Sequence, residues 1–169
     1  HLQGYALSTN AGTSFTDPGT LPAIPGWAVA HWRGDPVVTA DEARSRFYLA
    51  GLADVSRDAS GALGDSSALV IAERFKFVGI WTWGSAHVVR ALDGADWLLD
   101  KEWIAADSLT GNVYIVYTLY NRVAGLNYIQ FQRSVDAGAT WSTPYTLSSL
   151  ADAGDVQGAR VAVGPDGEL

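Results

Sequence analysis

Apolar residues fall into runs of five to nine positions, with single Gly or Pro residues standing between the runs. Segments of that length punctuated by turn residues predict many short strands rather than helices. Leu126-Asn-Tyr-Ile-Gln-Phe-Gln-Arg133 alternates partly between apolar and polar, as a half-buried strand should.

The runs are not independent of one another. Ser8-Thr-Asn-Ala-Gly-Thr-Ser-Phe15 and Ser134-Val-Asp-Ala-Gly-Ala-Thr-Trp141 share the pattern Ser-x-Asp/Asn-x-Gly-x-x-aromatic. Between them, Phe77-Val-Gly-Ile-Trp-Thr-Trp83 reads as a copy that has lost its Ser and Asp. Gly12, Gly79 and Gly138 are 67 and 59 residues apart. A second register keeps step with the first. Asp35-Pro-Val-Val-Thr-Ala-Asp41, Lys101-Glu-Trp-Ile-Ala-Ala-Asp107 and Gly158-Ala-Arg-Val-Ala-Val-Gly164 are apolar strands ending in turns, with Val38, Ile104 and Val161 66 and 57 residues apart. The strand after each turn recurs as well, and Tyr48 and Tyr114 are again 66 apart. Two motifs drifting by matching amounts establish an internal repeat, which outranks any local signal in deciding architecture.

The best-formed unit predicts a first strand near 103–107, a second at 113–119, a third at 126–133 and a fourth at 143–148. Four antiparallel strands per repeat, with a short, small-sided first strand suited to a crowded axis, predict the blades of a β-propeller. The expected division is a blade remnant at 1–32, a blade at 33–99, a blade at 100–150 and the start of another at 151–169. That is just under three blades, so further chain or identical copies are expected to complete the ring. The chain contains no Met, which points to a processed piece or an excerpt of something longer.

The repeated box has a mechanical reading. Asp136 is placed to accept hydrogen bonds from turn N–H groups and Ser134 to close the loop with its hydroxyl. Gly138 supplies a backbone conformation that a Cβ would penalise, and Trp141 is expected to pack on the blade face. In the first box Ser8, Asn10, Gly12 and Phe15 stand in the same roles, with Asn10 a weaker acceptor. The middle hairpin is expected to be longer or differently braced.

Composition narrows the function classes. The net charge is −7, and the 11 basic residues comprise nine Arg with Lys76 and Lys101, in no run. A nucleic-acid backbone or an anionic membrane therefore has no electrostatic footprint to meet, while single Arg residues suit bidentate capture of a carboxylate. With no Cys there is neither a disulfide framework nor a thiolate metal site. His31 and His87 lack ligand spacing. Asp54, Asp58, Asp65, Asp93 and Asp96 lack a calcium-loop spacing, so no metal and no cofactor are expected.

Ser-x-Asp-x-Gly-x-x-Trp resembles the Asp-box, or bacterial neuraminidase repeat, of sialidases and other propeller proteins. Lys101-Glu-Trp-Ile-Ala-Ala-Asp107 and Gly164-Pro-Asp-Gly167 look like inner-strand sequences of exo-sialidase-like proteins. The resemblance covers nearly the whole chain. It implies a six- or seven-bladed ring, boxes that brace hairpins away from the central site, and a secreted, periplasmic or cell-surface setting. It also implies an Arg that holds the substrate carboxylate, a Tyr nucleophile with a Glu partner, and an Asp acid/base. The first Arg of such sites lies in an Arg-Ile-Pro segment; none occurs here, so no residue is carried over and the catalytic set is unknown.

Propeller sites gather at one channel mouth, where residues lead into the innermost strands. Arg33, Asp35, Lys101, Glu102 and Arg160 are the candidate ligand contacts, with solvated rim charges or interblade ion pairs as the plainer alternative. Arg33-Gly34-Asp35 is read as a turn into a blade rather than an adhesion tripeptide. Trp81 and Trp83 are read as packing. The polar loop bearing Gly61 and Gly64 is too irregular to cradle phosphate. Two functions remain open: a glycoside hydrolase acting on sialic acid-type or other glycans, and a non-catalytic propeller binding glycans or protein partners.

Overall fold

The computed structural model describes residues 3–57 and 66–169; the loop with Gly61 and Gly64, and Asp58 and Asp65, lie outside the described residues. Two antiparallel sheets form. The first contains β1 (Val29–Trp32), β2 (Val37–Asp41), β3 (Arg46–Ser56), β4 (Ser66–Phe77) and β5 (Ile80–Asp93). The second contains β6 (Trp97–Ala106), β7 (Val113–Asn121), β8 (Leu126–Ser134) and β9 (Tyr145–Thr146). Among the described residues the only helical element is a 3-10 turn at Leu150–Asp152, and no helix is long and apolar enough to cross a membrane.

Both β1 and β2 pair with β3, one beyond the other, so together they make one interrupted inner strand. β6 is its counterpart, and its ladder to β7 breaks between Asp100 and Trp103. The inner strand of the second unit therefore begins at Trp97, earlier than the expected 103, because Lys101-Glu102 is a bulge within a strand and not its end. The expected unit boundaries at residues 33 and 100 both fall at these breaks: Val29–Trp32 shares a sheet with β2, and Trp97–Asp100 shares a strand with Trp103. β9 is shorter than the expected 143–148. Pro144 precedes it and has no N–H to donate, and serine hydroxyls extend the edge instead. Ser142 Oγ and Ser148 Oγ accept from the backbone N–H of Arg133 and Ile129, at 3.0 and 3.1 Å.

Side chains alternate across each strand, and both faces of the first sheet are covered. Tyr48, Ala50, Leu69 and Ile71 face Ile104, Val113, Ile115 and Tyr117 of the second sheet in one buried layer. Leu49, Val55, Ala68, Val70 and Ala72 form a second layer beneath Leu21 and Ile24 of the N-terminal segment. The chain is thus all-β, with antiparallel sheets stacked face to face and the inner strands β2 and β6 side by side, as propeller blades are. A polar tie crosses the layer. Arg90 of β5 donates to Tyr117 Oη at 2.9 Å and contacts Gln130, and Tyr117 donates to Gln132 Oε1 at 2.8 Å. Burial pushes the Tyr117 hydroxyl pKa up.

The hairpins explain the repeat. Ala11-Gly12, Val78-Gly79 and Ala137-Gly138 all pair two left-handed residues (φ 54 and 83, 47 and 82, 60 and 88°). At Val78-Gly79 this is the two-residue turn that matches the twist of paired strands, and in the boxes it lies within the longer loops between Leu7 and Thr16 and between Arg133 and Ser142. In the boxes, Ser134 Oγ accepts from Gly138 N–H at 2.8 Å and donates to Asp136 Oδ1, which also accepts from Thr140 N–H at 2.8 Å. Ser8 and Asn10 repeat this geometry: Ser8 Oγ accepts from Gly12 N–H at 2.8 Å, and Asn10 Oδ1 accepts from Ser14 N–H at 3.0 Å. The expected weakening at Asn10 leaves the first box closed. The aromatic positions differ. Trp141 packs against the layer between the sheets and donates from Nε1 to Gly138 O at 3.0 Å, whereas Phe15 is exposed. The middle hairpin has no box; β4 and β5 run on as 12- and 14-residue strands to a two-residue turn, so ladder bonds brace it.

Candidate ligand site at the broken inner strands

The inner strand of each sheet breaks at a residue in the left-handed region, and the third copy, expected as a strand at Gly158–Gly164, carries the same step although those residues form no strand. Asp35 has φ 51°, Lys101 φ 53° and Gly158 φ 68°, and the three stand at matching points of the repeat. Aspartate and lysine hold this conformation at a cost of order 1–3 kcal/mol that the surrounding ladders must offset; the third copy uses glycine, for which it is free of strain. Gly158 is held there by its N–H donating to Thr118 Oγ1 at 3.1 Å. The three left-handed steps converge. A hollow of about 220 Å³ is lined by Asp35-Pro36-Val37, Lys101-Glu102-Trp103 and Gly158-Ala159-Arg160, one triplet from each copy.

Of the five expected ligand contacts, Asp35, Lys101, Glu102 and Arg160 share this hollow. Arg33 does not line it; its guanidinium meets Asp54 Oδ2 of β3 at 3.0 Å. Lys101 Nζ donates to Asp35 Oδ2 at 2.8 Å and lies 3.9 Å from Asp100 Oδ1. The hydrogen bond to Asp35, with the charge of Asp100, holds the ammonium pKa above its ordinary value. The Arg160 guanidinium lies over the Trp103 ring, 4.1 Å from its centroid, a cation–π contact. Arg160 forms no ion pair among the described residues.

Glu102 differs from its neighbours. It is 3 % exposed, and neither carboxyl oxygen has a hydrogen-bond partner on any other described residue. Its counterparts in the repeat are Pro36 and Ala159, neither of which carries a charge. Burial, reinforced by Asp35 and Asp100, pushes its pKa to about 8, so at neutral pH it is largely a neutral acid with one O–H donor and acceptor capacity to spare.

The hydrolase reading needs a Tyr/Glu pair with arginines in one pocket. Tyr48 and Glu73 are cross-strand partners, and Arg46 meets Glu73 Oε2 at 2.6 Å. Tyr48 is fully buried between the sheets, and none of the three lines the hollow. Trp81 packs against Phe47, and Trp83 against Tyr5. No group of three metal-ligating side chains occurs among the described residues. The left-handed step and the stacking of Trp103 on Arg160 went unread in the sequence. Gly158 at the position of Asp35 and Lys101 was the available signal for the former.

No protein-family model matches the chain, and no curated protein matches it. Among solved structures it is similar to the Hadza microbial sialidase Hz136, with a TM-score of 0.47 and 16 % identity over 66 % of this chain and 25 % of that one. The chain spans about a quarter of the length of that protein.

Proposed function

We propose that this chain is part of an extracellular, sialidase-like propeller that binds a glycan in the hollow where its inner strands break. Glu102 carries the reading. A buried carboxyl group with no partner on another residue is rare and costly, and Glu102 stands in the lining of the hollow with its carboxyl oxygens enclosed behind that lining. A neutral carboxylic acid both donates and accepts, which matches a sugar hydroxyl. Trp103 adds an aromatic wall and Arg160 a guanidinium beside it.

Binding is favoured over hydrolysis. Lys101 is committed to Asp35 and Arg33 to Asp54, leaving Arg160 to meet a substrate carboxylate without a second arginine. The hydrolase reading keeps one support: a carboxyl group with a raised pKa is the state a general acid needs.

The test is titration of the full chain with sialyllactose and lactose by isothermal calorimetry, beside turnover of a fluorogenic sialoside. Saturable sugar binding, lost in Glu102→Ala and retained in Arg33→Ala, with no turnover, is the expected result. Turnover abolished by Arg160→Ala moves the assignment to a hydrolase. Absence of both binding and turnover refutes the reading.

A further inference from the structure

We propose a second ligand site, on the opposite face of the first sheet, that takes a small organic monocarboxylate with an apolar body. Its centre is Arg74 of β4. The residue is 7 % exposed, and its guanidinium lies over the rings of Tyr5 and Trp83, 5.1 and 5.6 Å from their centroids. No hydrogen bond or ion pair of this guanidinium occurs among the described residues, and Nε is enclosed without a partner. The neighbouring acid in sequence, Glu73, belongs to the other face of the sheet, where Arg46 holds it.

Aromatic rings make an enclosed cation tolerable, but they leave its N–H donors unmet, and an unmet buried donor is the expensive state. Trp83, the cross-strand partner of Arg74, adds an indole Nε1 that is likewise enclosed and unpartnered. A guanidinium whose donors meet no acceptor among the described residues is complementary to an anionic oxygen pair, and its fork fits a carboxylate best. The adjoining cavity, about 250 Å³, is walled by Leu7, Val38, Phe47 and Leu49 beside Tyr5. That is smaller than a drug-sized pocket, and its apolar walls suit a short aliphatic or aromatic body.

The repeat shows that the scaffold does not require this arginine. Arg74 pairs with Phe47, and the matching ladder position in the second sheet, opposite Val113, is the box serine Ser134. Phe47 and Val113 are 66 residues apart, the step of the repeat. Where one unit closes its hairpin with a hydroxyl, the other places a guanidinium over a cavity.

The test uses the full chain and phenylacetate, with phenylacetamide as the uncharged control. Binding is followed by tryptophan fluorescence and by the indole N–H resonance of Trp83. Phenylacetate is expected to saturate and shift that resonance, with the amide at least tenfold weaker. Arg74→Lys should weaken phenylacetate at least tenfold while near-ultraviolet circular dichroism stays unchanged. Trp83→Phe, which keeps a ring under the cation, should weaken it several-fold. Equal affinity for acid and amide, or no saturable response of the Trp83 resonance, overturns the proposal. So does undiminished phenylacetate binding in a folded Arg74→Lys or Arg74→Met variant.

Discussion

Asp35 and Lys101 occupy the same step of two successive repeats, share a left-handed backbone, and meet each other at 2.8 Å across the hollow. Equivalent positions thus touch because the inner strands β2 and β6 lie side by side. The backbone conformation, more than the exposed ion pair, sets the response to substitution, since such pairs contribute little. Lys101→Gly is expected to leave the melting temperature unchanged or raise it. Lys101→Val, whose β-branched side chain tolerates this conformation poorly, should lower it by about 2–4 °C. Thermal melts of the two variants check this; equal melting temperatures would contradict it.

Glu102 makes stability depend on pH in a definite direction. Its folded pKa is raised from 4.5 to about 8, so the fold prefers the protonated form. The resulting stability is fully present below pH 4.5. It is lost as the unfolded chain ionises first, and the loss is complete above about pH 8. Glu102→Gln cannot ionise and escapes this decline. Its melting temperature relative to the unsubstituted chain is expected to climb steadily between pH 5 and pH 8. Parallel pH profiles would show that Glu102 is ionised in the fold.

The second box separates scaffold from site. Asp136 accepts from Thr140 N–H and Oγ1 and from Ser134 Oγ, and the bonds to Thr140 hold its pKa below the usual carboxylate range. Asp136→Ala is expected to destabilise the chain by about 1–3 kcal/mol and to leave sugar affinity unchanged. Chemical denaturation paired with calorimetry tests both halves. A loss of affinity with unaltered stability would move Asp136 into a binding role.

Gly138 joins that box to the neighbouring sheet. Its φ is 88°, and a Cβ there would lie 3.3 Å from Ile71 Cγ2. Gly138→Ala combines left-handed strain with a tight contact against a core residue, and is expected to cost about 1–2 kcal/mol. Gly12, with φ 83° and open space around it, should show the backbone part alone, and so a smaller loss in Gly12→Ala. Equal losses in the two variants would mean that Ile71 yields freely.

The succession of antiparallel strands in the second unit and the serine, acceptor and glycine that close a turn were legible in the sequence, because each rests on short-range pattern. A serine, an acceptor two residues on and a glycine two further close a turn by local bonds, and the 66-residue echo of Tyr48 in Tyr114 needs only counting. What tertiary structure alone settled lies between strands. Lys101-Glu102 reads as a charged strand end, yet pairing with β7 on both sides makes it a bulge. Arg33 and Arg160 read alike in one dimension, yet one is drawn to Asp54 and the other to the ring of Trp103. Arg74 looks like an ordinary strand cation, and only the N-terminal segment, folding back to lay Tyr5 over it, encloses the charge. Burial and charge pairing are set by whichever chain segment comes to lie opposite, and local pattern carries no record of that.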